Sequence, residues 1–368
     1  MIYISPRGYR NTARLLLLGA TAAFATTAAP VHAQAPSPTV TSTASQGMRY
    51  IGNAADNNVR VTLAGTTFTV DDIAPITAGT GCKPVPGDAT KATCVAFKVA
   101  PNGKFKEFSV LASAGNDRVI NSTSTVSTTG APMFASGSVG DDELIGDLKV
   151  DDRLSGASGN DTLRGLGGQN ELVGSSGDDT LLGGGKLSGG LGNDLLDGGS
   201  SDDILDGGFG RDIIDGGAAG IRPGERHDRV IYGDRDGAVR VDLNRTDASQ
   251  GAPGEGDTIR DVEDIVGGSG NDILIGNAEG NTIDGGAGND GLNGLQGRDV
   301  LVGGDGNDSI FPSPAPDVQF PFGAVADGQP DLIECGKLGR SDGDPGDQAL
   351  RVVSDGDIAN DCASVVDQ

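Results

Sequence analysis

Aspartates recur at a fixed interval through the middle of this chain, set almost entirely among glycines. From Gly156 the sequence reads GASGNDTLR, GLGGQNELV and GSSGDDTLL, then a short unit GGGKLS, then GGLGNDLLD, GGSSDDILD and GGFGRDIID, ending at Asp215. From Gly267 it reads GGSGNDILI, GNAEGNTID, GGAGNDGLN, GLQGRDVLV and GGDGNDSIF. These are eleven nine-residue units of one pattern, Gly-Gly-x-Gly-x-Asp-x-Leu-x. The sixth position holds Asp161, Asn170, Asp179, Asp194, Asp203, Asp212, Asp272, Asn281, Asp290, Asp299 and Asp308. The eighth holds Leu163, Leu172, Leu181, Leu196, Leu205, Ile214, Leu274, Ile283, Leu292, Leu301 and Ile310. With 36% of the chain apolar, an unbroken column of this kind arises by chance with a probability on the order of 10⁻⁵. A disordered glycine-rich linker has no reason to keep either column.

The chemistry follows from the spacing. The first half of each unit is a turn, where glycine permits positive φ and close backbone approach. The last three residues suit a very short strand whose middle side chain alone points inward. Such strands bury too little by themselves, but stacked coils pool them into one continuous ladder. Two units make one coil, so residues 18 apart share an edge: Asp161 stacks with Asp179, Asp194 relates to Asp212, and Asp290 to Asp308. Coils about 4.8 Å apart would bring like charges close enough to repel by roughly 3–4 kcal/mol at an effective dielectric of 20. A divalent cation between the carboxylates reverses that sign. An all-oxygen site of carboxylates and turn carbonyls suits Ca²⁺, less well Mg²⁺ with its stricter geometry. Zinc would need His or Cys.

The units GGLGNDLLD and GGSGNDILI resemble the nonapeptide repeat of the RTX, or haemolysin-type calcium-binding, family. The resemblance implies an all-β fold: a parallel β-roll, or solenoid, that binds Ca²⁺ between coils. Carried over by position, the implied ligands are Asp142, Asp161, Asp179, Asp194, Asp203, Asp212, Asp272, Asp290, Asp299 and Asp308. With them go the turn carbonyls of Gly159, Gly177, Gly192, Gly210, Gly270, Gly288, Gly297 and Gly306. Degenerate units carry Asp117 and Asp142 upstream, and Asp228 resumes the column inside the interruption. Asn170 and Asn281 keep an oxygen but lose charge, which implies weaker or empty sites. The short unit at Gly183 has no Asp and is expected to break the register.

The surrounding chain must position these turns. Residues 1–33 read as a secretory signal peptide: Arg7, Arg10 and Arg14 precede the apolar run Leu15 to Ala25, and Val31-His32-Ala33 is a small-residue cleavage site. Losing those three arginines moves the net charge from −25 to −28. Such a chain attracts cations and is not expected to bind nucleic acid or anionic membranes. Residues 34–112 read as a β-rich N-terminal region capping the first coil, 113–216 as the first repeat block, and 217–266 as a β insertion continuing the solenoid. The second block spans 267–311, and 312–368 reads as a Pro-rich linker and tail. No later segment is apolar enough to span a membrane. The four cysteines suggest two local disulfides, Cys82–Cys94 and Cys335–Cys362, with zinc as a weak alternative because CxxC is absent.

Three functional classes compete. A secreted, non-catalytic calcium-binding protein of a cell surface or matrix fits all the features; its macromolecular partner is not legible. A secreted hydrolase or toxin-like effector using the roll as a C-terminal module is the alternative. It lacks HExxH and GxSxG motifs, and the segment before the repeats contains no histidine after the leader. His227, the remaining histidine, is assigned no role. A pore-forming toxin would need a long apolar or amphipathic segment, and none is present.

Overall fold

The computed structural model describes residues 36–98, 104–124, 130–217 and 227–311, and four short strands beyond them. The leader and the Cys335–Cys362 pair lie outside the described residues. Every regular element among the described residues is a strand, and the strands form sheets of 15, 11 and 6 members.

One coil shows how the repeat folds. Arg153–Ser158 runs in the long sheet, the chain turns through Gly159-Asn160-Asp161, and Thr162–Arg164 runs in the second sheet. A second turn returns it to Asn170–Ser176, which pairs in parallel with Arg153–Ser158 and sets Leu172 opposite Leu154. One residue per short strand faces inward, so the eighth-position column divides among the three sheets, with Leu274, Leu292 and Ile310 in the third. Leu154, Leu172, Leu205, Ile283 and Leu301 line the long sheet, and Leu163, Leu181, Leu196 and Ile214 line the second. All are buried at 0–1% exposure, each leucine stacking on the one in the next coil. The core is therefore only two side chains wide.

The short unit does not break the register. Its strand Gly185–Leu191 pairs with Asn170–Ser176, and Leu187 takes the inward place opposite Leu172. Three residues are removed from a turn, not from a strand, so this coil is shorter while its strands stay aligned.

The N-terminal region both supplies a coil and covers it. Gly47–Ile51 and Asn58–Ala64 pair in parallel with Phe108–Leu111 and Arg118–Ser122. Beyond them Thr39–Thr43, Thr67–Asp71 and Asp88–Val95 pair antiparallel. The largest buried side chains gather here, Tyr50, Phe68, Phe108 and Met48 among them, with Phe68 and Phe108 rings 5.2 Å apart. Cys82 and Cys94 face each other across an antiparallel pair and form a disulfide.

The insertion is a seam. Arg229–Ile231 and Asp264–Val266 continue the long sheet, while Thr258–Arg260 ends the second sheet and Arg240–Asp242 begins the third. Antiparallel bridges from Arg240 to Gly251 and from Gln250 to Asp257 join the two. Beyond Phe311, where a linker and tail are expected, the described strands also extend the stack. Leu332–Glu334 pairs with Val300–Val302, and Gln348–Arg351 with Ser309–Phe311.

Candidate metal centre

The sixth-position aspartates are buried, from Asp142 at 3% exposure to Asp212 at 0%. A turn of glycines leaves no side chains to cover a carboxylate, so the cover comes from the next coil. Asp161 N–H donates to Asp179 Oδ1 at 2.7 Å, Asp179 N–H to Asp194 Oδ1 at 2.8 Å, and Asp194 N–H to Asp212 Oδ1 at 2.8 Å. Upstream, Asp117 donates to Asp142 and Asp142 to Asp161, at 2.7 and 2.8 Å. Beyond the seam the same edge carries Asp272 to Asp290 and Asp290 to Asp308, both 2.8 Å. Each carboxylate thus meets a backbone dipole of the coil before it, which offsets part of the stacked charge.

The opposite edge holds the remaining candidates. Asp203 N–H donates to Asp228 Oδ1 at 2.9 Å, and Asn281 N–H to Asp299 Oδ1 at 2.9 Å. Asp203 is therefore stacked with Asp228, not with Asp194 or Asp212. Asn170 accepts from Asp152 N–H at 2.9 Å, so it keeps the ladder while lacking the charge.

The second carboxylate oxygen distinguishes this site from an ordinary Asx ladder. Oδ2 of Asp117, Asp142, Asp161, Asp179, Asp194, Asp212 and Asp290 is buried without a hydrogen-bond partner. Orphaned carboxylate oxygens repeated at one position are costly unless a cation meets them. All but that of Asp117, whose unit opens with Ala112, lie over the first glycine of their own unit. A Cβ on Gly156 would fall 2.0 Å from Asp161 Oδ2, and one on Gly174 2.2 Å from Asp179 Oδ2. In these units first-position glycine therefore leaves room for the carboxylate.

The fourth-position glycines aim carbonyls along the stack. The Gly159 carbonyl lies 1.9 Å from where a Gly177 Cβ would be, that of Gly177 2.0 Å from Gly192, and that of Gly192 1.7 Å from Gly210. Beyond the seam Gly270 faces Gly288, and Gly288 faces Gly306, in the same way. Gly177, Gly192 and Gly210 hold φ of 127, 135 and 142°, where an L side chain is strained. Gly297 stacks on the Glu279 carbonyl, so the opposite edge departs from the glycine-on-glycine rule.

No group of three or more His, Cys, Asp or Glu that could hold a metal occurs among the described residues. A metal here would have to draw most of its ligands from backbone carbonyls, which favours a hard cation of high coordination number. Burial raises these carboxyls: Asp142, Asp179, Asp212 and Asp290 to about 7, and Asp194 to about 6, against lowering by the N–H each accepts. Asp161 and Asp272 rise for the same reason.

Several column members were not legible. Asp257 accepts Asp212 N–H at 3.0 Å, and Glu263 accepts Asp228 N–H at 3.0 Å, though neither lies in a repeat. Asp152, in the degenerate stretch before Arg153, joins through Asn170. A signal existed for all three, since each lies two residues before an inward-facing apolar residue, Leu154, Ile259 or Ile265. An exposed ladder runs alongside at the fifth position, with Asn160 N–H on Asp141 and Asp178 N–H on Asn160 at 2.8 and 2.9 Å.

The fold and its turns define a parallel β-roll with carboxylate-lined gaps between coils. Four matches to the RTX calcium-binding nonapeptide repeat fall at residues 151–185, 187–219, 266–301 and 292–312, so the chain carries RTX-type calcium-binding repeats. No curated protein matches it.

Proposed function

We propose that this chain is an exported, non-catalytic protein whose roll is folded and stabilised by Ca²⁺ held between coils, serving at a cell surface or in a matrix. The observation that carries this reading is the row of buried, unpartnered Oδ2 atoms facing glycine-lined turns. Asp142, Asp161, Asp179, Asp194, Asp212, Asp272, Asp290 and Asp308 would hold the ion on one edge, and Asp203 and Asp299 on the other. The carbonyls of the fourth-position glycines would complete the shell. Bound Ca²⁺ would supply the positive charge that lets these carboxylates stay ionised while buried. Extracellular calcium is millimolar, enough to fill the weak sites typical of extracellular modules. A ligand at ten times its dissociation constant adds about 1.4 kcal/mol per site.

The leader motif and the net charge of −25 favour export and cation binding over nucleic acid or anionic lipid. No helix among the described residues is long and apolar enough to cross a membrane. A non-catalytic role is favoured by the histidine count: His227 is exposed and sits 3.5 Å from Asp264, with no nucleophile in the pair.

The test is a calcium titration of the mature chain followed by far-ultraviolet circular dichroism. The expected result is a coil-like spectrum in chelator and a β spectrum with a raised melting temperature in millimolar Ca²⁺. A spectrum and melting temperature indifferent to chelator would overturn the reading.

A further inference from the structure

One turn in the insertion departs from the repeat. In the second block the second-position residues stack through their carbonyls: a Cβ on Gly286 would lie 2.3 Å from the Gly268 carbonyl, and one on Gly304 1.9 Å from that of Gly286. One coil earlier, the carbonyl 2.4 Å from a Gly268 Cβ belongs to Arg235. Arg235 therefore stands in a column held elsewhere by glycine, alanine or serine, such as Gly190, Ala157 and Ser175.

Its side chain stays inside, at 3% exposure. The guanidinium donates to the carbonyl of Gly208, the second-position residue of the last coil of the first block. It also donates to Glu255 Oε1 at 3.0 Å and to Asp234, and it stacks over the Phe209 ring at 4.1 Å. Beside it Asp257 occupies the sixth position. Its Oδ1 accepts Asp212 N–H as in every other coil, but its Oδ2 accepts the Tyr232 hydroxyl at 2.9 Å. That atom is the one left without a partner in Asp161, Asp179 and Asp194.

We infer that Arg235 is a built-in cation for the gap between the coil of 207–212 and the inserted coil, taking the place that Ca²⁺ takes in the other gaps. This rests on the calcium reading above. The carbonyl and carboxylate oxygens that face the gap are already satisfied by guanidinium and hydroxyl donors. A guanidinium is charged at every accessible pH, so this joint needs no metal. A divalent ion would have to displace it and would meet its charge at contact distance. The two repeat blocks are thus coupled through a metal-independent joint, and the calcium array is divided there into two runs.

The test uses the full-length protein crystallised with terbium in place of calcium, with metals located by anomalous scattering. The expected result is metal in the gaps between the coils of Asp161, Asp179, Asp194 and Asp212, and none beside Gly208 and Asp257. Metal in that gap as well overturns the inference alone. Metal in no gap overturns the calcium reading, and the inference with it. A second arm counts ions bound in saturating calcium by equilibrium dialysis and metal analysis. The double variant Arg235→Gly with Tyr232→Phe restores the glycine and frees Asp257 Oδ2, and should bind one more Ca²⁺ per chain than the parent. An unchanged count overturns the inference. If the double variant does not fold, the anomalous map of the parent decides.

Discussion

Gly156→Ala tests the packing of a carboxylate on its own turn. The added Cβ would lie 2.0 Å from Asp161 Oδ2, 2.5 Å from its Cγ and 2.7 Å from its Cβ, all inside ordinary contact. The Gly156 φ is not in the left-handed region, so the cost is steric and falls on Asp161. Forcing a methyl into a packed site costs about 1–3 kcal/mol. Moving the carboxylate also strips Asp142 N–H of its acceptor at 2.8 Å, and an unsatisfied buried donor costs about 1–3 kcal/mol. Against this, alanine restricts the unfolded chain and recovers up to about 1 kcal/mol. The net is about 3 kcal/mol, or roughly a hundredfold in the folding equilibrium. If folding takes up about four calcium ions together, the calcium midpoint should rise about threefold, the fourth root of that factor. The assay is the calcium titration by circular dichroism, with Gly237→Ala as the control. A Cβ on Gly237 meets nothing within 4 Å and its φ is ordinary, so its midpoint should stay within error of the parent or fall slightly. Equal midpoints for the two variants would refute the idea that the carboxylate dictates the first glycine.

Asp179→Asn keeps an oxygen to accept Asp161 N–H but removes a buried charge. It should bind fewer calcium ions by isothermal titration calorimetry while being more stable than the parent in chelator at pH 7.5. The pH dependence has a definite sign. In metal-free protein the folded carboxyls of Asp142, Asp179, Asp212 and Asp290 titrate near 7, above the unfolded value of about 4. Their contribution is fully present below pH about 4 and is lost as pH rises through about 7, so the residual β signal in chelator should fall from pH 5 to pH 8. Calcium needs the ionised form, so its apparent affinity should instead rise over the same range. Leu181→Ala removes a fully buried rung between Leu163 and Leu196 and should cost about 2–5 kcal/mol in denaturant unfolding with calcium present. A loss under 1 kcal/mol would mean that the ladder is not the core.

Legibility differed by residue. The eighth-position leucines and sixth-position aspartates stood out because each recurs at fixed spacing. The pairs Asp161–Asp179 and Asp290–Asp308 followed from two units per coil. Asp257 did not, because it lies 45 residues beyond Asp212 and reaches the same edge only after the seam has folded. Glu263, 35 residues beyond Asp228, was hidden similarly and by its longer side chain. The short unit at Gly183 looked like a break because sequence counts residues, whereas register depends on strands, and the deletion fell in a turn. The stacked aspartates seemed to need a metal to coexist at all. The N–H donated across each gap already screens one oxygen, so the demand for a cation concentrates on the other, Oδ2.

The sequence by itself determined the repeat, its coil length, the inward leucines and the acidic turns, because each is a periodic property of a local pattern. Tertiary structure alone decided which edge each aspartate occupies, why the first glycine cannot carry a Cβ, and that Arg235 folds back onto Gly208. Those depend on contacts between coils, whose partners are set by how much chain each coil consumes, and that length varies wherever the repeat is interrupted.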